Sequence, residues 1–428
     1  MRIAMLDPGH FHAALVQKKM YDDVDPLVRV YAPAGPELDD YLRRVEAYNA
    51  RADDPTRWRL RVHAGEDFVD RFVADQGADA VVIAGNNRRK SEYITRAVEA
   101  GVHTLADKPM AIDAAAFAAL EAAFAIARRK GVLLYDIMTE RHEITTILQR
   151  EFAGIPAVFG ELDSGTIDDP AVTKESVHCF SKKVSGVQLV RPAWFFDVDQ
   201  QGEGLVDITT HLVDLVQWAC FPGVTLDYSR DVRVLRAKRS ATVLSAQQFA
   251  QVTGLATWPG FLRKDVGIDG KLAVYANGRI DYALRGVHAR VSVRWDFEAP
   301  PGAGDTHHSV MRGTRASLVI RQGAAEHFTP TLYLEPNAIT SRAAWDAAVE
   351  ASLPGVQARF PDIGVRPARH GYEVTVPARY HVGHEAHFGQ VADDFLRYVK
   401  ANALPPWEVP NMLAKYYTTT QALALATR

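Results

Sequence analysis

The first third of the chain alternates short apolar runs with helical patterns, and this alternation restricts it to one class of fold. Residues 2–6 form an apolar run that stops at Asp7-Pro8-Gly9-His10-Phe11-His12, after which 13–20 reads as a helix. Further strands are expected at 28–31, 80–84, 103–106 and 132–135, and helices at 91–100 and 113–130. Strand, tight turn and helix in repetition build a parallel sheet with both faces covered. A doubly wound α/β domain is therefore expected over residues 1–152. Beyond it the alternation gives way to β-rich stretches at 157–162, 231–237, 272–275, 288–297, 308–311 and 316–320. The polar/apolar alternation of Arg290-Val291-Ser292-Val293-Arg294-Trp295 suits a sheet with one covered face, which marks 153–428 as a second α/β domain.

Composition narrows the partners. The 428 residues are 47% hydrophobic and 24% charged, enough for two sizeable cores. A net charge of −3 leaves no bulk electrostatic footprint for nucleic acid or an anionic membrane. The two cysteines, Cys179 and Cys220, read as packing residues in a reducing compartment. The start Met1-Arg2-Ile3-Ala4-Met5-Leu6 is too quickly interrupted for a signal peptide, and no apolar run has membrane-spanning length. A cytoplasmic protein is expected.

The candidate chemistry centres on Gly202 to Trp218. On a helix Asp207, His211 and Asp214 would share one face, with Val206, Leu212, Val213, Leu215 and Val216 covering much of the rest. Polar groups on so apolar a helix must be hydrogen-bonded or bind a ligand. Gly202 and Gly204 are expected to let backbone approach that ligand, and the imidazole titrates where a general acid or base should.

The turn after the first strand departs from the G-x-G-x-x-G dinucleotide fingerprint, keeping only Gly9, the glycine that admits a pyrophosphate. After the second strand, Ala32-Pro33-Ala34-Gly35 offers neither a ribose-binding acid nor an arginine, with Asp39 or Arg43 as replacements from the next segment. Ala106-Asp107-Lys108-Pro109-Met110 places Lys108 at the carboxyl end of a parallel strand, where open α/β sheets bind ligands.

Taken together, the strand followed by Asn86-Asn87, Asp107-Lys108-Pro109, and Asp207 with His211 and Asp214 resemble the Gfo/Idh/MocA family of nicotinamide-dependent sugar and polyol oxidoreductases. Its Glu-Lys-Pro motif is similar to Asp107-Lys108-Pro109, with an acid one methylene shorter here. The resemblance implies an N-terminal Rossmann domain and a C-terminal domain with an open, mainly antiparallel sheet that often supports oligomers, so a homo-oligomer is expected. It implies NAD, with NADP open, held by Gly9, His10, Phe11, His12, Asn86, Asn87, Asp107 and Lys108. Lys108 and Asp207 would orient and polarise a hydroxyl of a small carbohydrate, and His211 would take its proton as hydride leaves. Some relatives retain NAD and use transient oxidation to cleave a glycosidic bond without net redox, so that alternative stands.

Three further groups remain. In Arg191 to Asp199 the aromatics, Trp194 among them, suit either core packing or a sugar-stacking wall. Of His307 and His308 only one faces the cleft, since strand side chains alternate, and His308 is carried forward as a substrate contact. A helix would align His381, His384 and His387; their spacing is not that of a metalloprotease, and no metal is assigned. A metal-dependent hydrolase or isomerase built from them with Asp207 and His211 is the remaining alternative.

Overall fold

The computed structural model describes every residue except Ser185. Its first sheet comprises β1 (Ile3–Leu6), β2 (Leu27–Ala32), β3 (Arg59–Ala64), β4 (Ala80–Ile83), β5 (His103–Asp107) and β6 (Leu134–Ile137). All neighbours are parallel, in the order β3-β2-β1-β4-β5-β6. Order reverses between β1 and β4, the topological switch point at which such sheets bind dinucleotides. Both strands are buried throughout, as helices on either face require. The helix expected at 13–20 is shortened to His12–Val16, because the carbonyls of Gln17 and Lys18 accept from the Trp58 indole and from Arg51. The helix expected at 113–130 runs Ala114–Lys130, with the Asp113 side chain accepting from the Ala116 amide as N-cap.

After helix Ile144–Ala153 come β7 (Val172–Ser181) and a small pair, β8 (Lys183–Val184) and β9 (Val187–Gln188). They are followed by β10 (Val232–Leu244), β11 (Leu272–Leu284), β12 (Val287–Glu298), β13 (Thr306–Arg312) and β14 (Ala316–Arg321). The last strands are β15 (Thr331–Pro336), β16 (Gly364–Ala368) and β17 (Gly371–Thr375). Nine of these form one sheet, ordered β10-β11-β12-β7-β13-β14-β15-β17-β16. Only the β12–β7 pairing in it is parallel.

The strand expected at 157–162 is absent. Amides from Val158 to Gly160 bond back to Ile155 and Pro156 in a helical turn, and Gly160 leaves it at φ 80°. Val158 and Phe159 are nevertheless core residues, so the apolar run was real and its geometry was not extended.

Helix Thr209–Cys220 packs on the second sheet with Ile144–Ala153 and Arg342–Gln357. The chain then returns: Phe388, Val391 and Phe395 from His384–Ala401, and Met412 and Tyr416 from Glu408–Ala426, join the core of the first sheet, while Ala414 and Ala422 join that of the second. The last helix thus ties the two cores together. Among the described residues, no helix is long and apolar enough to cross a membrane.

Candidate active site

A cleft of about 1290 Å³ lies between the carboxyl ends of the parallel strands and the second sheet. The central helix begins at Thr209, so Asp207 sits in the tight turn before it, with its amide bonded to the Glu203 carbonyl. Gly202 and Gly204 do not approach the cleft as expected. They admit neighbouring chain: a Cβ on Gly204 would stand 2.0 Å from the Ala276 carbonyl oxygen of β11, and one on Gly202, at φ 92°, would strike Val206 and Ile112. This packing fixes where Asp207 emerges.

Lys108, at the end of β5 and followed by a cis peptide to Pro109, crosses between domains to Asp207, Nζ to Oδ1 2.6 Å, with both side chains buried. His211 lines the same cleft, and its Nδ1 is buried without a partner. Burial, and then the Lys108 charge, hold its imidazolium pKa well below the usual histidine range, so it is a neutral acceptor at neutral pH. Asp214 leaves this group. Asp207 precedes the helix, so the three do not share one helical face, and the Asp214 carboxylate instead receives Arg141 Nε and Nη2 at 2.6 and 2.7 Å and Lys415 Nζ at 2.8 Å.

On the first sheet's side, His10, Phe11, His12, Gly85, Asn87, Asp107 and Lys108 line the cleft. Asp7, at φ 49°, occupies the fingerprint's first glycine position, a conformation that aspartate tolerates. A Cβ on Gly85 would stand 2.2 Å from the Asp7 carbonyl oxygen, and Gly9 lies beside both. Bare backbone therefore meets at the switch point, an arrangement that fits a dinucleotide there. Asn86 and Asn87 donate across the cleft to the Gln200 side chain and the Gln201 carbonyl, at 2.7 and 2.8 Å, so both help to hold the domains together. Asp107 accepts from His12 Nδ1 at 2.8 Å, and His10 Nδ1 lies 3.5 Å from the same oxygen. Burial opposes its charge, but the two imidazoles and Lys90 hold its pKa well below the carboxylate range.

The facing wall decides one alternative and corrects one expectation. Trp194 is packed in an aromatic core, while Phe195 and Trp295 reach the cleft. The segment Ala193–Phe196 is a single 3₁₀ turn, in which consecutive side chains diverge by about 120°. On β13 it is His307, opposite Ser176 of β7, that lines the cleft, and not His308. Of the tail histidines, all three line the cleft, but the helix starts at His384 and leaves His381 outside it.

Other cleft groups were not foreseen. Glu140 follows the end of β6, and although about a third of its side chain is open, burial pushes its pKa up to about 7. The rule that singled out Lys108, a polar residue just beyond a parallel strand, would have found it. Ser176 Oγ, His178 Nε2 and Asp305 form a relay, with contacts of 2.7 and 3.0 Å, and Lys182 Nζ reaches Asp305 at 2.6 Å. No sequence spacing announces this group, because Asp305 arrives from the loop between β12 and β13.

Two family models match the chain. Residues 28–136 match "Oxidoreductase family, NAD-binding Rossmann fold", and 148–427 match "Putative oxidoreductase C terminal domain". A crystal structure of a putative oxidoreductase from Parabacteroides merdae is 50% identical, with a TM-score of 0.97 over 100% of this chain and 97% of that one. Levoglucosan dehydrogenase in complex with NADH and L-sorbose is similar in fold at 14% identity, TM-score 0.63, over 100% and 96% of the two chains. KijD10, a 3-ketoreductase from Actinomadura kijaniata in complex with NADP and TDP-benzene, is similar at 15% identity, TM-score 0.59, over 100% and 97%. No curated protein matches.

Proposed function

The chain belongs to the Gfo/Idh/MocA family of oxidoreductases, with an NAD-binding Rossmann domain and the C-terminal domain of this oxidoreductase group, and on that premise we propose that it is an NAD(P)-dependent dehydrogenase of a sugar, glycoside or polyol hydroxyl. The observation that carries this reading is the 2.6 Å Lys108–Asp207 pair spanning the two domains, with neutral His211 in the same cleft. Alcohol oxidation needs a cation near the developing alkoxide, a base for the hydroxyl proton, and the reacting carbon held in place. Lys108 stabilises negative charge on the substrate oxygen, Asp207 holds Lys108 in position, and His211 accepts the proton. When bound, the nicotinamide supplies the hydride acceptor, and His10, Phe11, His12, Gly9, Asn87 and Lys108 would hold it. Phe195 and Trp295 offer ring faces to an apolar sugar surface, with His307 and the Ser176–His178–Asp305 relay as hydroxyl partners. The similar structures add support for a nicotinamide cofactor and a sugar-like ligand: levoglucosan dehydrogenase is in complex with NADH and L-sorbose, and the 3-ketoreductase KijD10 with NADP and TDP-benzene.

One observation favours a second reading, cleavage or elimination through transient oxidation with no net redox. Glu140, at about 7, is a second proton-transfer group in the cleft and could serve a leaving group or a neighbouring C–H. Nicotinamide absorbance, followed with NAD or NADP and a panel of free sugars, glycosides and polyols, tests both. A substrate-dependent rise supports the dehydrogenase. Product by mass spectrometry without a rise, with nicotinamide released on denaturation, supports the second reading. Neither signal would sink both.

A further inference from the structure

We propose that Ser176, His178 and Asp305 form a nucleophilic triad, giving the cleft a second activity: hydrolysis of carboxylic esters of small hydroxylated molecules. Strand geometry puts the first two together. Residues two apart on β7 share one face, so Ser176 and His178 stand side by side. Asp305 then arrives from the loop before β13. The contacts run in the order a triad requires, Ser176 Oγ to His178 Nε2 at 2.7 Å and His178 Nδ1 to Asp305 Oδ2 at 3.0 Å. All three residues line the cleft.

Each partner holds the next in the state the chemistry needs. An ionised carboxylate only accepts, so Nδ1 carries the proton, and in the neutral imidazole Nε2 is left to accept from the Ser176 hydroxyl. Asp305 is itself fixed by the Cys179 amide on Oδ1 at 3.1 Å and by Lys182 Nζ on Oδ2 at 2.6 Å. The His178 ring lies against Trp295, with centroids 5.2 Å apart and planes inclined by 32°, which restricts its rotation. A donor for the developing oxyanion stands on the neighbouring strand. His307, opposite Ser176 on β13, lines the cleft, and its Nε2 is buried without a hydrogen-bond partner. A serine that only bound a substrate hydroxyl would need no oriented base behind it.

In the reaction Ser176 Oγ bonds to the ester carbonyl carbon as its proton passes to His178 Nε2. His178 returns that proton to the alcohol oxygen as the ester C–O bond breaks. Water, deprotonated by the same imidazole, then attacks the acyl-serine; the Oγ–C bond breaks, Oγ takes the proton back, and a carboxylic acid leaves. That the alcohol is a carbohydrate rests on the reading above; the acyl transfer does not.

The test is to treat full-length protein with a fluorophosphonate probe, mapped by peptide mass spectrometry, and separately to follow nitrophenolate release from p-nitrophenyl acetate. A single label at Ser176 is expected, with ester hydrolysis that Ser176→Ala abolishes and His178→Ala lowers by roughly 10²- to 10⁴-fold. Prior labelling should block hydrolysis by the wild type, which decides the matter even if Ser176→Ala fails to fold. No label, a label elsewhere, or hydrolysis that is absent from the wild type or survives labelling would overturn the proposal and leave the group as a hydroxyl partner. Nicotinamide absorbance enters neither readout, so failure here is distinct from failure of the dehydrogenase reading.

Discussion

Asp207 and Asp214 flank His211 on the same apolar stretch and are both buried, yet they sit in opposite kinds of polar cluster. Around Asp214, charge is answered almost completely: Arg141 clamps Asp214 and reaches Glu408 at 2.8 Å, while Lys415 joins Asp214 to Asp136, which also accepts from the Tyr416 hydroxyl. Around Asp207 the answer is partial. Lys108 meets one of its oxygens, His211 has no hydrogen-bond partner on Nδ1, and the group opens onto the cleft. Burial by itself therefore does not mark a site. A closed network fixes the domains against each other, whereas a buried group with free valence facing a cavity is available for chemistry.

The comparison can be broken most decisively by His211→Ala, which should lower turnover by roughly 10²- to 10⁴-fold, with a thermal midpoint close to wild type. Lys108→Ala should act in the same direction. If either kept full activity, its role on the cleft side would be wrong. Asp214→Ala should do the reverse, costing about 3–5 kcal/mol in denaturant unfolding because Arg141 and Lys415 lose their shared partner. An Asp214 variant with unchanged stability but lost activity would erase the distinction.

Acid titration of stability should separate the clusters less dramatically. Neutral buried His12 and His211 have lowered folded pKa values, so the unfolded chain binds protons that the native one refuses. Their contribution is complete above the unfolded value of about 6.5 and is lost as pH falls below it. Despite its burial, Asp214 is held low by Arg141 and Lys415. Its contribution is present above about 3.9 and is lost on further acidification through the folded value. His211→Gln should flatten the first limb and Asp214→Asn the second; equal effects of both variants on both limbs would contradict the separation. The smallest effect is expected of Phe195→Ala, a several-fold rise in KM with kcat nearly unchanged if its ring only holds substrate. Trp194→Ala should instead register as lost stability.

Much of this was legible beforehand for a physical reason. Period and punctuation are local properties, so the alternating first domain, the strand-end position of Lys108 and the apolar helix carrying His211 could be read from neighbouring residues. The misreadings came from contacts between distant residues. Asp214 has the helical spacing of a site residue, but its partners arrive 73 residues earlier and 201 later. Gly204 resembles a ligand-admitting glycine, but β11 is what approaches it. Trp194 and Phe195 are adjacent in sequence, and a single 3₁₀ turn chooses between them.

The sequence by itself determined the parallel sheet, the strand-end position of Lys108 and the apolar helix carrying His211, because hydrophobic period and turn chemistry act over a few residues. Only the tertiary structure decided which polar groups would be closed off and which left open. Charge compensation and burial depend on what the rest of the chain brings within a few ångströms: Arg141 and Lys415 to Asp214, Asp305 to His178, and two imidazoles to Asp107.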